Sequence, residues 1–92
     1  QPAAVVAGSV LENGLRKMCA REEIELSKKP QLDSMNSALA KKGVYNLLTQ
    51  KRITALADIR NNAAHGKWDQ FTQDDVDDLI QWIRKFMERN YV

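Results

Sequence analysis

Arg60, Asn61 and His65 fall within the six-residue segment RNNAAH, and His65 is the only histidine of the chain. An imidazole titrates near neutrality and can take or give a proton, while a guanidinium can hold two phosphate oxygens in a fork. Together they suit cleavage of RNA by its own 2′-hydroxyl, which needs no metal. The histidine deprotonates that hydroxyl or protonates the 5′-oxygen leaving group, and the arginine balances charge developing on the phosphorane. Asn61 stands one helical turn before His65, close enough to orient the ring. The reaction profits from both an acid and a base, so a single histidine predicts a two-fold homodimer placing two such motifs around one cleft.

Each of these residues also has a structural reading. On an ideal helix Arg60 lies about 40° from Leu56, inside the apolar stripe of its own helix. A charge there needs a partner, which is a phosphate in the chemical reading and Asp58, Asp69 or an acid of the last helix in the structural one. Arg60 and His65 diverge by about 140° on a regular helix. They converge only if the helix unwinds towards Gly66 or if the arginine reaches around. His65 could simply meet the helix dipole, and Asn61 could cap its own helix end. Lys67 and Trp68 follow directly, the tryptophan suited either to stacking on a base or to packing. Lys51 and Arg52 belong to the same basic region and suit either RNA guidance or a solvated face.

That region is uneven in charge. Lys41, Lys42, Lys51, Arg52, Arg60 and Lys67 face one acid, Asp58, whereas Asp69, Asp74, Asp75, Asp77 and Asp78 follow with no basic residue until Arg84. A basic segment around the motif favours a polyanion there. The overall formal charge of +2 over 92 residues does not by itself imply a nucleic-acid binder. A hydrophobic fraction of 43% with 28% charged residues suits one small globular domain over residues 1–92. Because the chain starts at Gln1-Pro2 rather than at methionine, it reads either as a processed protein or as one domain, the C-terminal part, of a longer protein that could carry a further domain upstream. A lone cysteine, Cys19, excludes an internal disulfide and any multi-cysteine metal site, and points to a cytoplasmic protein. No apolar run is long enough to cross a bilayer, so no membrane partner is expected. His65 and Cys19 lack zinc spacing, the acids at 74–78 lack a calcium-loop glycine, and no phosphate-cradling loop occurs. No metal or cofactor is expected.

Periodicity is helical throughout and predicts a small antiparallel bundle of about four helices. The first spans about Ala3 to Glu22, with Val6, Val10, Leu11, Leu15, Met18 and Cys19 as its buried stripe, Cys19 as a core residue, and Gly14 as a point of close helix approach. The second is short, with Asp33 or Ser34 capping its first amides, Met35 and Leu39 buried, and Gly43 as the left-handed residue after its end. The third runs from near Thr49 to near His65, with Ile53, Leu56, Ile59 and Ala63 inward and Gly66 as the stop. KWDQ is expected to be a loop. FTQDDV then gives the clearest start signal, a Thr72–Asp75 capping box flanked by Phe71 and Val76. Trp82 and Phe86, one turn apart on the fourth helix, read as core or as a dimer contact.

The segment IRNNAAHG, after a helix and before a loop and a capped terminal helix, resembles the HEPN superfamily, the higher eukaryotes and prokaryotes nucleotide-binding domain. Its hallmark is an arginine, a gap of four to six residues and a histidine, with a polar residue often directly after the arginine. Arg60, Asn61 and His65 match with a gap of four. The opening helix, LAKKGV and HGKWDQFTQDDVDDLIQWIRKFM extend the likeness over nearly the whole chain. The resemblance implies an all-α bundle, frequent homodimers, and metal-independent endoribonuclease activity in toxin, phage-defence or RNA-processing roles, sometimes with a cognate antitoxin. His65 would be the catalytic imidazole, Arg60 the phosphate contact and Asn61 the supporting polar residue. Some members lack activity and serve as modules for nucleotide or RNA binding or for dimerisation.

Overall fold

A computed structural model describes residues 2–90. The chain is all-α: four helices, α1 (Pro2–Arg21), α2 (Leu32–Lys41), α3 (Leu47–Ala64) and α4 (Gln73–Asn90), pack around one core. A short 3-10 turn, Trp68–Gln70, stands in the expected KWDQ loop. α3 is the antiparallel member of each of its pairings. Its end meets the middle of α1 through Arg60 and Glu12, its start meets the end of α4 around Tyr45, Thr49 and Phe86, and Gln50 and Thr54 meet Asn36 of α2. Among the described residues no helix is long and apolar enough to cross a membrane. The expected upstream domain would precede Gln1, outside the described residues.

The core is built from the inward stripes. α1 contributes Ala4, Leu11, Leu15, Met18 and Cys19; α2 Met35 and Leu39; α3 Ile53, Leu56 and Ala63; α4 Val76, Leu79, Ile83 and Phe86. Such aliphatic side chains are each worth about 1.5–3 kcal/mol when fully buried. One polar residue joins them. Asn36 donates to the Gln50 carbonyl and Thr54 Oγ1, and its Oδ1 accepts the Tyr45 hydroxyl at 2.6 Å, so its amide is satisfied on both sides. The expected inward stripe of α1 is corrected near its start: Val6 and Val10 are 62% and 48% exposed. Ala4 and Gly8 face inward in their place, and at Gly8 the Arg60 side chain of α3 occupies the space a Cβ would need.

The helix ends show how local chemistry fixes lengths. α1, α2 and α3 close with the same wrap: Ile24, Val44 and Lys67 donate backbone bonds to Cys19, Leu39 and Asn62, each five residues back. The residue that turns the chain has positive φ in each case: Glu23 at 58°, Gly43 at 81° and Gly66 at 69°. The first pays the strain of a side chain in a region that glycine adopts freely. α4 opens with the expected capping box, Asp75 N–H to Thr72 Oγ1 at 3.1 Å and Thr72 N–H to Asp75 Oδ2 at 2.8 Å. α3 begins two residues before Thr49, capped by Asn46, whose Oδ1 accepts the Thr49 N–H at 2.9 Å. α2 begins at Leu32, with Gln31 rather than Asp33 or Ser34 at its N-cap. Ser34 closes that start from inside, its hydroxyl accepting the Gln31 N–H and donating to the Gln31 carbonyl.

Candidate functional site: the end of helix α3

Arg60 lies on the buried flank of α3, its side chain only 25% exposed. The stem passes over Gly8 so closely that a Cβ there would stand 2.3 Å from Arg60 Cδ. Beyond Gly8 the guanidinium meets Glu12 one turn further along α1, Nη1 donating to Oε2 at 2.7 Å. Arg16 donates to the other oxygen of Glu12 at 3.2 Å. Hydrogen bonding to Arg60, reinforced by the charges of both arginines against the cost of burial, holds the Glu12 carboxyl below its ordinary range. The partner of Arg60 is therefore Glu12, not Asp58, Asp69 or an acid of α4. A glycine and an acid at i and i+4 on one helix were the available signal: the first admits a long side chain and the second receives its charge.

Arg60 and Asn61 border an open hollow of about 330 Å³ between α1, α2 and α3. Glu12, Lys29, Gln31 and Asp33 are also on its wall. The hollow is polar and carries both signs of charge, with two cations, Arg60 and Lys29, facing two carboxylates. An anionic ligand placed there must displace Glu12 from Arg60 or share the guanidinium with it.

His65 does not line that hollow. It caps the C-terminus of α3 and is exposed, its backbone N–H bonded to the Asn61 carbonyl at 3.0 Å. That bond is the ordinary helical one, so α3 stays regular through Ala64 and turns only at Gly66. The unwinding that would swing His65 towards Arg60 within one chain does not occur. Asn61 borders the Arg60 hollow and precedes His65 by one turn. Beyond Gly66, Lys67 and Trp68 are exposed, the indole packing edge-on against Phe71 with centroids 6.0 Å apart.

Lys51 and Arg52 are also exposed, but they occupy the opposite end of α3. Thirteen residues separate Arg52 from His65, about 20 Å along a helix. The residues expected to contact nucleic acid thus form two clusters, Lys67 and Trp68 beside His65, Lys51 and Arg52 beside α4. Among the described residues no group of three or more histidine, cysteine, aspartate or glutamate side chains could hold a metal ion. Cys19 is buried in the core, where desolvation raises its thiol above the ordinary range. Comparison with protein-family models, curated proteins and solved structures found no match to this chain.

Proposed function

We propose that this domain is a metal-independent endoribonuclease of the HEPN-like type, acting on RNA from the exposed end of α3. The observation that supports the reading is an exposed histidine, His65, one turn beyond Asn61, which itself borders the hollow that holds Arg60. The RNA 2′-oxygen attacks the adjacent phosphorus and gives its proton to His65. The bond from phosphorus to the 5′-oxygen breaks, leaving a 2′,3′-cyclic phosphate. The departing oxygen takes a proton from water or from the imidazole of a second copy. Arg60, released from Glu12, holds the phosphate oxygens as charge builds on them. Lys67 and Trp68 receive the strand beside His65. A role as a toxin or in phage defence, with a cognate antitoxin as partner, follows from the same reading.

One observation favours a second reading. Glu12 already neutralises Arg60, and Gly8 makes room for its stem, as expected of an arginine that ties α1 to α3. In that reading the domain is a non-catalytic module that binds nucleotide or RNA, or mediates dimerisation. Cleavage of a labelled RNA in chelator separates the two. Under the nuclease reading His65→Ala lowers the rate by at least ~10²-fold with unchanged helix content and thermal midpoint, because the side chain is in solvent. Equal rates for the two proteins, or RNA binding without cleavage that is lost in Arg60→Ala, would establish the second reading instead.

A further inference from the structure

At the end of α3 remote from His65, two rows of side chains border a groove that the proposed function leaves unused. Leu48, Arg52 and Ala55 fall within an arc of about 60° on α3, and Asp78, Trp82, Lys85 and Arg89 within about 60° on α4. Leu48, Ala55 and Trp82 line an open, mostly apolar hollow of about 540 Å³ between the two helices. Arg52 meets Asp78, Trp82 and Lys85 around a second hollow, and Lys85 and Arg89 border a third beside the same indole. Trp82 is half-buried and stacks on the buried Phe86 with centroids 4.9 Å apart, whereas Leu48 is 76% exposed. Lys51 joins Arg52, Lys85 and Arg89 at the rim, and Asp78 is the one acid that borders any of the three hollows. All four cations are exposed, and among the described residues none is in an ion pair.

We propose that this groove docks a short acidic amphipathic helix of a different protein. Two antiparallel helices with an apolar floor between them are the seat that helix-in-groove recognition uses. Asp78 and Arg89 stand eleven residues apart, about 16 Å along α4, which is the length of three turns of a partner helix. Apolar side chains at i, i+3 or i+4, and i+7 of that helix cover Leu48, Ala55 and Trp82. Carboxylates flanking the apolar stripe meet Lys51 and Arg52 on one side and Lys85 and Arg89 on the other. Burial of the floor supplies the attraction, and four cations against one acid select the sign of the partner's charge.

A nucleic-acid strand would satisfy the cations but not the floor. Its phosphodiester backbone offers nothing apolar to Leu48 and Ala55, and Phe86 already covers one face of the indole on which a base would stack. The larger apolar strip of Val6, Val10, Ile80 and Met87 on the other side of α4 has one cation and one acid at its rim, Arg84 and Glu88, so it selects no charge in a partner. The groove lies at the other end of α3 from His65 and shares no residue with the hollow around Arg60. Docking there is therefore independent of the nuclease reading.

The probe is a fluorescein-labelled three-turn peptide of leucine and glutamate with its leucines on one helical face, followed by fluorescence anisotropy. Wild type should bind it at least ~10-fold more tightly than a permuted peptide of the same composition with scattered leucines, and than a peptide with lysine in place of glutamate. Leu48→Ser should weaken binding roughly 10-fold by removing one apolar contact. Lys85→Glu should weaken the acidic peptide by at least ~10-fold and tighten the lysine peptide. Both changes are at exposed positions, and circular dichroism verifies that the helices stay intact. His65→Ala should bind the peptide as wild type does, so docking and cleavage fail separately. No binding, equal binding of the permuted peptide, or full affinity in Leu48→Ser and Lys85→Glu would each overturn the proposal. A single-stranded DNA oligonucleotide, which lacks the 2′-hydroxyl and so survives the proposed reaction, is the competing probe. If it bound more tightly than the peptide and lost affinity in Lys85→Glu, the groove would belong to nucleic acid and the proposal would be wrong.

Discussion

Replacing Glu12 by Gln removes one charge and almost nothing else. The amide keeps the shape and one acceptor oxygen, so the 2.7 Å bond from Arg60 can persist as a neutral-acceptor bond. Two charges about 3–4 Å apart attract by roughly 4 kcal/mol at an effective dielectric of about 20. Desolvation and side-chain ordering offset most of that, leaving about 1 kcal/mol for a pair whose side chains are three-quarters covered. For a domain of this size the corresponding fall in thermal midpoint is about 4–8 °C. The pH dependence gives the test its sign. Because the folded state holds the Glu12 carboxyl below its ordinary range, the stabilisation is fully present above the unfolded pKa of about 4.5 and is lost as pH falls through the lower folded value. Urea unfolding near neutrality and again at about pH 2 should therefore show a deficit of about 1 kcal/mol in the first condition and a much smaller one in the second. A deficit of equal size at both pH values would mean that Glu12 acts through packing, and the electrostatic account of Arg60 would fail.

The other consequences concern the supports of the same framework. Gly8→Val should destabilise by about 2 kcal/mol through overpacking against the Arg60 stem. Since it also displaces the guanidinium, combining it with Glu12→Gln should cost less than the sum, and strict additivity in a thermal double-mutant cycle would count against the shared mechanism. Asn36→Ala should cost about 1–3 kcal/mol, measured by urea unfolding, by removing its bonds to Tyr45, Gln50 and Thr54, while the Tyr45 hydroxyl keeps the backbone carbonyl of residue 36 and the Gln50 carbonyl keeps Thr54 Oγ1. Glu23→Gly should raise stability by about 0.5–1 kcal/mol, because glycine relieves the positive φ by more than it adds to unfolded-chain entropy; a lower thermal midpoint would contradict this.

How much of this was legible in the sequence depended on how local each signal is. The start of α4 was readable because Thr72 and Asp75 satisfy each other's backbone within four residues, and the glycine stops at 43 and 66 need only one residue type. The stop at Glu23 carries no such mark, since the same left-handed turn is made there by a residue that gains nothing from it. The start of α3 was missed by two residues because Leu47 and Leu48 are exposed and break the expected apolar pattern, while the Asn46 cap stands before them. Helical periodicity gave the stripe of α1 from Leu11 onward but misplaced Val6 and Val10. Which residues face inward there depends on a neighbour, α3, that periodicity within one helix does not describe. The motif itself was fully visible. Its geometry was not, because the partner of Arg60 lies forty-eight positions away in sequence.

Under the proposed function Arg60 would serve two demands that conflict in space. The fold draws its guanidinium inward to Glu12, whereas phosphate chemistry at His65 requires charge at the outer end of α3. Asn61, bordering the hollow below the imidazole, marks the route between them. The stem lies nearest Gly8 at Cδ, so only the bonds beyond that point would turn if the head left Glu12. The energy involved is the modest one estimated above, small enough for a bound phosphate to supply through two charge-assisted hydrogen bonds. Glu12 would then act as a resting partner that holds Arg60 in place until substrate competes for it. In Glu12→Gln that competition disappears. The same substitution that weakens the fold should tighten phosphate binding, and a variant that lost both together would assign Arg60 to architecture alone.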